Sequence, residues 1–585
     1  MRPNYSLYTI GIIVSLLFIA FAYRLPLPWC IVMSFAGIFC LYRYASGIQK
    51  DKKNYDALRG TGSFNITYDD LPTDKLFVGK GFMWTPEHTS MINKLMHNKE
   101  LLEEGENLGG LAFIHGVGIK DEQNIYVQLP DLVGHSVIIG TTRVGKTRAY
   151  EIITVQAIKR KETVIIFDPK GDKELLNRVV ESCRQVGREN DFIFFALPYP
   201  KFSAHYNPLK NFTLPNEIPD RIAMLLPAGG DSEAFRSFAW QVISVITNAM
   251  LYMHIRPTVK SLSAYSLAKT EELCKQCISE AFRRYTFKND SIVELDRDID
   301  AKIEDYIKLY KKTPEVHHNA IDDLIMLVKH PKEHFQKMIA SLTPLLAKLS
   351  SGEIGTLLSD RSEDDANNID WERVVKNKKV VYVLFGSLLM RDTAKAVIRM
   401  AIQDFTSFVG SKYCYMNDKN VINLFIDEFS EVVDSAFINL LNKAGGAGVR
   451  IFLASQSVAD LESELKTAAK AQQIFDNLNT KLWLRTTDMT TSKVFSDAAG
   501  SVSIKQESSG FSVSPDVSTN SEVVFRSSYS QSESEKNVPL VDPSWLLKLP
   551  KGQGFLMSSG RVFKVRIPLL QECKTDYYKE VGIEE

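Results

Sequence analysis

Cysteine is scarce in this sequence, and neither sign of charge is in excess. Seven cysteines among 585 residues exclude a disulfide-stapled scaffold and indicate a reducing compartment for most of the chain. Basic and acidic residues number 70 each, which excludes a uniformly basic protein that coats nucleic acid. Cys274 and Cys277 form CKQC without a second pair or a nearby histidine, so four zinc ligands are lacking. At roughly 100–200 residues per domain, the chain is long enough for about three domains.

Two long uncharged segments stand at the N-terminus, at residues 5–23 and 25–42. Each is close to the roughly 20 residues that an α-helix needs to cross a bilayer. Pro26 and Pro28 follow Arg24 between the segments, which favours an antiparallel hairpin. A cleaved signal peptide is the alternative, but two spans in succession without a small-residue cleavage site disfavour it. Basic residues cluster at 43–59, so we predict a transmembrane hairpin at 1–50 with the rest of the chain cytoplasmic.

A glycine-rich loop follows a short hydrophobic segment at 135–140. The sequence GTTRVGKT at 140–147 matches G-x-x-x-x-G-K-T and is followed by a helical pattern. Backbone N–H groups of such a loop surround phosphates, and the helix N-terminus adds its positive dipole end. Lys146 is expected to reach the β- and γ-phosphates of ATP, and the Thr147 hydroxyl to bind Mg²⁺. The predicted nucleotide-binding residues are Gly140, Thr141, Thr142, Arg143, Val144, Gly145, Lys146 and Thr147.

Paired acids follow a second hydrophobic segment, VINLFI at 421–426. Asp427 fits a ligand of Mg²⁺ or of its water, and Glu428 fits the base that activates the attacking water. Such a pair can also be a simple helix N-cap. Another strand pattern at 450–454 precedes Gln456, which we predict to sense the γ-phosphate, although a plain loop glutamine is the alternative.

The segment between Lys146 and Asp427 is much longer than a bare nucleotide-binding sheet requires. Its middle part, 212–347, is helical in pattern and predicts an inserted all-α domain. The linker and the first part of the nucleotide-binding domain then occupy 51–211, and the second part with the tail occupies 348–585. Hydrophobic segments at 76–82, 111–117 and 125–129 predict strands. The serine-rich segment 501–536 predicts either a flexible excursion or an edge hairpin.

Several of these segments together resemble one protein family. VIIGTTRVGKTR, VIIFDPKGD at 164–172, YNPL at 206–209, LFIDEFS at 424–430, LASQS at 453–457 and VPLVDPSWL at 538–546 are similar to TraD-type conjugative coupling proteins, type IV coupling ATPases related to FtsK-type DNA translocases. FVGKGFMWTPEHT at 77–89 and AFIHGV at 112–117 resemble the branch found on integrative conjugative elements. The phosphate loop alone is generic, whereas DPKGD and the order of the segments are the specific part.

The resemblance implies an α/β, RecA-like P-loop domain with an inserted all-α domain and an N-terminal two-helix membrane hairpin. It implies an ATPase that uses ATP and Mg²⁺, forms homo-hexameric rings and is anchored in the bacterial inner membrane. Its implied partners are DNA, relaxase proteins and the channel proteins of a type IV secretion system. Two alternatives stay open: a chromosome-segregation translocase and a non-hydrolysing membrane adaptor gated by ATP.

One position departs from the family pattern. Many relatives have an arginine before the A-G sequence that precedes the second strand, where this chain has NKAGGAGVR at 442–450. Arg450 and Arg485 are therefore both candidates for a catalytic arginine finger that reaches a neighbouring subunit. A surface or core-edge role is the alternative for each.

Overall fold

The structure, a computed structural model, describes most of the chain after residue 62. The described residues are 63–583 except 98, 100–101, 104–108, 228, 231, 290–301, 362–366, 417, 434 and 518–522, together with isolated positions between 13 and 49. Among them, no helix is long and apolar enough to cross a membrane. The hairpin predicted at 1–50 lies mostly outside the described residues.

The strands are β1 (Asn65–Ile66), β2 (Lys75–Met83), β3 (Gln123–Gln128), β4 (Ser136–Ile139), β5 (Thr163–Asp168), β6 (Phe192–Ala196), β7 (His205–Tyr206), β8 (Asn368–Ile369), β9 (Val380–Leu384), β10 (Ile422–Ile426), β11 (Val449–Ser455), β12 (Thr480–Trp483), β13 (Ser501–Val517), β14 (Val523–Pro539), β15 (Gln553–Ser558), β16 (Arg561–Arg566) and β17 (Leu569–Leu570).

The α-helices are α1 (Pro86–Leu95), α2 (Phe113–Gly116), α3 (Lys146–Lys159), α4 (Lys173–Gln185), α5 (Glu217–Ala223), α6 (Ser232–Tyr252), α7 (Val259–Leu267), α8 (Thr270–Asn289), α9 (Ile303–Lys312), α10 (Asn319–Val328), α11 (Lys332–Met338), α12 (Leu342–Ser350), α13 (Gly352–Leu357), α14 (Trp371–Lys376), α15 (Arg391–Tyr415), α16 (Ser435–Ala444), α17 (Val458–Leu465), α18 (Ala468–Asp476), α19 (Met489–Ala499), α20 (Pro543–Leu546) and α21 (Tyr577–Glu580).

An 11-stranded mixed sheet organises the nucleotide-binding part of the chain. Its order is β3-β2-β16-β15-β12-β4-β11-β10-β5-β9-β6. The strands from β12 to β6 run parallel, and β15, β16, β2 and β3 extend the sheet with antiparallel pairs. β5 and β10 are buried along their whole length, as expected for parallel strands that are covered on both faces. The predicted α/β class is therefore confirmed.

Alternate residues of the parallel strands enter two hydrophobic cores. Val164 and Ile166 of β5 pack on the face covered by α3 and α4, where Tyr150 and Leu176 are buried. Ile165 and Phe167 face the opposite core, which continues into the helical region. This alternation follows the two-residue period of a strand. Because the strands from β12 to β6 run parallel, their carboxyl ends and the loops that follow them lie at one edge of the sheet.

Between β7 and β8, every described element is helical. The helices α5 to α13 span Glu217–Leu357, within and just beyond the all-α region predicted at 212–347. β7 and β8 pair in parallel, with His205 opposite Asn368 and Tyr206 opposite Ile369. The chain thus enters and leaves the helical region through one two-stranded neck, which is the arrangement of an insertion.

A buried carboxylate ties this neck together. Asp404 on α15 accepts hydrogen bonds from the Tyr206 hydroxyl at 2.7 Å, from Trp371 Nε1 at 2.6 Å and from Arg221 Nη1 at 3.0 Å. These three donors come from β7, α14 and α5, and the Asp404 side chain is 0% exposed. The network therefore joins the first strand of the neck, the helix that follows the second strand and the first helix of the insertion to α15.

We expect Asp404→Ala to lower the free energy of unfolding by about 3–5 kcal/mol, because it leaves the buried Tyr206 and Trp371 donors without their acceptor and removes the buried carboxylate that pairs with Arg221. Thermal unfolding followed by circular dichroism measures the effect. Asp392→Ala on the same helix is the control, since its side chain is 81% exposed, and a change within about 0.5 kcal/mol is expected. Equal melting temperatures for both variants would contradict the role of this network.

Two local predictions meet different outcomes. The segment 111–117, predicted as a strand, is not one: it contains α2, with Phe113 and Ile114 buried. A short hydrophobic run does not distinguish a buried strand from a buried helical turn, which explains the error. The serine-rich segment forms the antiparallel pair of β13 and β14, so the hairpin interpretation of 501–536 is the correct one.

Candidate nucleotide-binding site

The predicted phosphate loop connects β4 to α3 at the carboxyl edge of the sheet. Gly145 has φ of 113° and immediately precedes the first residue of the helix, Lys146. This left-handed conformation is strained for residues with a side chain, which accounts for the second glycine of the motif. Arg143 also has a positive φ, of 60°. The strand, loop and helix that give the motif its meaning are all present.

Neighbouring segments hold the loop on several sides. The Gly140 N–H donates to the Ser455 carbonyl at 3.2 Å, at the end of β11. On another side, the Gly552 N–H donates to the Val144 carbonyl at 2.8 Å, and a Cβ on Gly145 would lie 3.4 Å from Gly552 Cα. The loop conformation is therefore fixed by contacts with the following parts of the chain and not by its own sequence alone.

Glu428 is the centre of the polar contacts beside this loop. Its Oε1 accepts a hydrogen bond from Gln456 Nε2 at 2.7 Å and lies 3.1 Å from Lys170 Nζ and 3.4 Å from Lys146 Nζ. Burial alone would raise the pKa of Glu428, but Lys146, the Gln456 hydrogen bond and Lys170 outweigh it and hold that pKa below its usual value. The structure thus brings together three residues that the sequence predicted separately.

Backbone strain accompanies this position. Glu428 has φ of 43° and ψ of 51°, a left-handed conformation that is uncommon for glutamate. Strain of this kind costs on the order of 1–3 kcal/mol and persists only where surrounding contacts impose it. Here the Glu428 N–H donates to Asp427 Oδ1 at 2.9 Å, and the Asp427 N–H donates to the Phe167 carbonyl at 3.1 Å. The bend after β10 aims the glutamate side chain at the phosphate loop.

Asp427 lies where negative charges accumulate. Its pKa is raised to about 7 by burial first, and then by the neighbouring carboxylates Glu428 and Asp168, against the lowering effect of Lys146. Bringing carboxylates together in this way favours binding of a cation.

A tight turn after β5 lies beside the phosphate loop and Glu428. Asp168 is fully buried and accepts backbone N–H groups of Lys170 at 3.0 Å, Gly171 at 2.7 Å and Asp172 at 2.6 Å. The Tyr382 hydroxyl donates to the same carboxylate at 2.6 Å. Gly171 has φ of 97°, a conformation that suits glycine. Asp168 therefore builds the turn that presents the side chains at positions 170 and 172.

The oxygen groups of the site fit Mg²⁺. Asp172 Oδ2 accepts a hydrogen bond from the Thr147 hydroxyl at 3.2 Å, so a carboxylate lies beside the predicted magnesium ligand Thr147. Hydroxyl and carboxylate oxygens are the ligands that Mg²⁺ prefers. In the described part of the chain, no group of three or more His, Cys, Asp and Glu side chains could hold a metal ion by itself.

Two family models match the sequence, and both include residues of this site. A model described as the type IV secretion-system coupling protein DNA-binding domain matches residues 128–326. A second, described as the TraM recognition site of TraD and TraG, matches residues 421–551. The chain belongs to the TraD/TrwB-type type IV coupling proteins. No curated protein matches its sequence.

One solved structure of a coupling protein shares the fold of this chain. The unbound monoclinic form of the bacterial conjugative coupling protein TrwBdeltaN70 is 13% identical, covers 77% of this chain and 89% of its own, and has a TM-score of 0.50. TrwB in complex with the GTP analogue GDPNP is also 13% identical, covers 88% and 99%, and has a TM-score of 0.49. VirB4 of Thermoanaerobacter pseudethanolicus is 12% identical, covers 78% and 95%, and has a TM-score of 0.41.

The two arginine candidates of this coupling protein lie at opposite ends of the parallel strands. Arg450 is near the amino end of β11, away from the phosphate loop, and its Nη1 donates to Glu162 Oε1 at 2.9 Å. Only 8% of Arg450 is exposed. This buried ion pair argues against an arginine-finger role, which stays a prediction for Arg450.

Arg485 follows β12 and remains a candidate. Its carbonyl accepts the Thr141 N–H at 2.9 Å, which places Arg485 beside the phosphate loop of its own chain. Its Nη1 donates to the Gly109 carbonyl at 2.6 Å. A finger role toward a neighbouring subunit stays a prediction.

The sequence reasoning missed Lys170 and Asp172. Both belong to DPKGD, which served only to support the family resemblance and received no role. A signal was available: charged residues follow the strand pattern at 164–167, just as Asp427 and Glu428 follow 421–426. Because β5 and β10 are parallel neighbours, the residues after them meet at the same edge.

Proposed function

We propose that this chain is a membrane-anchored, ATP-driven coupling protein that recruits a relaxase–DNA complex to a type IV secretion channel and pumps DNA during conjugative transfer. The observation that carries the proposal is the convergence of Lys146, Gln456 and Glu428 from three separate segments that follow strands β4, β11 and β10. Such an arrangement is needed to hydrolyse a nucleotide triphosphate. An acidic pair that only capped a helix would not need these contacts.

Each of these residues has a defined part in the proposed reaction. The amides of the loop 140–147 and Lys146 bind the phosphates and stabilise charge on the transferred group. Glu428 orients the attacking water and accepts its proton, and Gln456 holds the Glu428 carboxylate toward that water. Thr147 and Asp427, with Asp172 nearby, would hold Mg²⁺, which supplies neutralisation of the phosphate charge.

The proposed partners follow from the family and from the N-terminal sequence. The match of residues 128–326 to a coupling-protein DNA-binding domain supports contact with DNA, which we propose to be independent of sequence and to include single- or double-stranded DNA. The match of residues 421–551 to a TraM recognition site supports contact with relaxosome proteins. The uncharged segments at 5–23 and 25–42 support anchoring in the inner membrane, and membership of the family supports a homo-hexameric ring beside the channel.

We expect the specific ATPase activity of the full-length protein to rise with protein concentration and with added DNA. A ring places each site against a neighbouring subunit, so dilution below the assembly range lowers turnover per chain. The measurement is phosphate release across a dilution series, with and without single- and double-stranded DNA.

A profile that responds to neither concentration nor DNA would contradict the proposed motor and favour the ATP-gated adaptor. Transfer frequency from a donor strain lacking the gene separates conjugative coupling from chromosome segregation. Loss of a coupling protein abolishes transfer, whereas loss of a chromosome-segregation translocase does not.

A further inference from the structure

Lys170 is the closer of two lysines to the proposed catalytic base. Its Nζ lies 3.1 Å from Glu428 Oε1, whereas Lys146 Nζ lies 3.4 Å from the same oxygen. Two ammonium groups and the Gln456 amide therefore share one carboxylate oxygen. In this arrangement Oε1 is occupied by donors and is not free to accept the proton of a water molecule.

The backbone of Lys170 is held by hydrogen bonds, whereas its side chain is partly exposed to solvent. The Asp168 carboxylate holds the N–H groups of residues 170–172, and Gly171 lies against Leu384, with a Cβ there only 2.9 Å from Leu384 Cδ1. The Lys170 side chain is 38% exposed, so the four-carbon stem reaches Glu428 from solvent along the rim of the site. A small rotation of that stem moves the ammonium group while the turn stays in place.

The charge balance of the site changes when a triphosphate binds. Lys146 is the cation proposed for the β- and γ-phosphates, and both ammonium groups lie within the reach of a single carboxylate oxygen. A γ-phosphate beside Lys146 is therefore also close to Lys170 Nζ, and it carries more negative charge than a carboxylate. Because of this greater charge, the phosphate competes effectively with the Glu428 carboxylate for both cations.

We propose that Lys170 is a second γ-phosphate-binding residue, which leaves Glu428 when ATP binds and so frees Oε1 for the attacking water. The inference rests on the proposed function and deepens it by naming how the site recognises the triphosphate. Lys170 contributes little to the affinity for ADP in this scheme, because ADP has no γ-phosphate.

The test compares affinities of the full-length protein for Mg·ADP and for a Mg-bound non-hydrolysable ATP analogue. Lys170→Met should weaken binding of the ATP analogue roughly 10- to 100-fold more than binding of ADP, as expected for one lost charged hydrogen bond of about 1.5–3 kcal/mol. Lys170→Arg should restore most of the discrimination, because it keeps the charge. Steady-state kcat should fall in Lys170→Met and recover in Lys170→Arg.

Lys173→Met is the matched control. Lys173 lies three residues further on, its side chain is also 38% exposed, and it pairs with Asp576 at 3.5 Å. The Lys173→Met variant should leave the affinities for Mg·ADP and for the ATP analogue unchanged. Equal changes in the two affinities of Lys170→Met, or no change, would overturn the inference, as would failure of Lys170→Arg to restore discrimination. Absence of hydrolysis by the unmodified chain would contradict the proposed function instead, and the ratio of affinities would still decide the role of Lys170.

Discussion

Lys146→Ala is expected to abolish ATP hydrolysis and conjugative transfer while the protein keeps its fold. The lysine begins α3 beside Gly145, and its ammonium group is the cation placed for the β- and γ-phosphates. Removing one such electrostatic contact lowers turnover by about 10²–10³ at least, and here binding of the triphosphate weakens as well. Glu428 keeps its contacts with Lys170 and Gln456, so the cluster does not lose its structure.

Phosphate release, nucleotide affinity and transfer frequency measure these effects, and a melting curve checks that the fold is intact. Lys493→Ala is the control for removal of a lysine, because Lys493 is exposed on α19. It should leave hydrolysis and transfer unchanged. Near-normal transfer by Lys146→Ala would refute the ATPase function.

The parts of the site that were predictable are those encoded in contiguous residues. The phosphate loop at 140–147 carries its own context, because a strand pattern precedes it and a helix follows it. Asp427 and Glu428 stand directly after a buried hydrophobic segment, so their place at a strand end could be inferred. The inserted helical region was also predictable, since its length and helical pattern interrupt the sheet.

The remaining features depend on which strands become neighbours. Lys170 reaches Glu428 only because β5 pairs with β10, and no local pattern specifies that pairing. Arg450 became a finger candidate only because many relatives have an arginine near the segment 442–450, and that comparison does not say where Arg450 lies relative to the phosphate loop. Residues at the two ends of one strand lie at opposite edges of the sheet, and β11 separates Arg450 from Gln456 in this way.

We expect Glu428→Gln to bind nucleotide and yet turn it over about 10²–10⁴ times more slowly, the usual effect of losing a general base. Glutamine has the same length as glutamate and retains a side-chain oxygen. That oxygen can accept the hydrogen bond that Gln456 Nε2 donates to Glu428 Oε1 at 2.7 Å in the unmodified chain. It cannot take a proton from water. The left-handed backbone at this position is strained equally for glutamate and glutamine, so the substitution adds no new strain.

The decisive comparison sets single-turnover hydrolysis beside affinity for a non-hydrolysable ATP analogue. Glu431→Gln is the matched control, because Glu431 follows three residues later and pairs with Lys395 at 3.6 Å instead of with the phosphate loop. It should retain turnover within a few-fold. Loss of nucleotide binding in Glu428→Gln would show that Glu428 shapes the site, and unchanged turnover would show that another group activates the water. Slow turnover with intact binding is the one combination that identifies Glu428 as the base, because a damaged site would lose both.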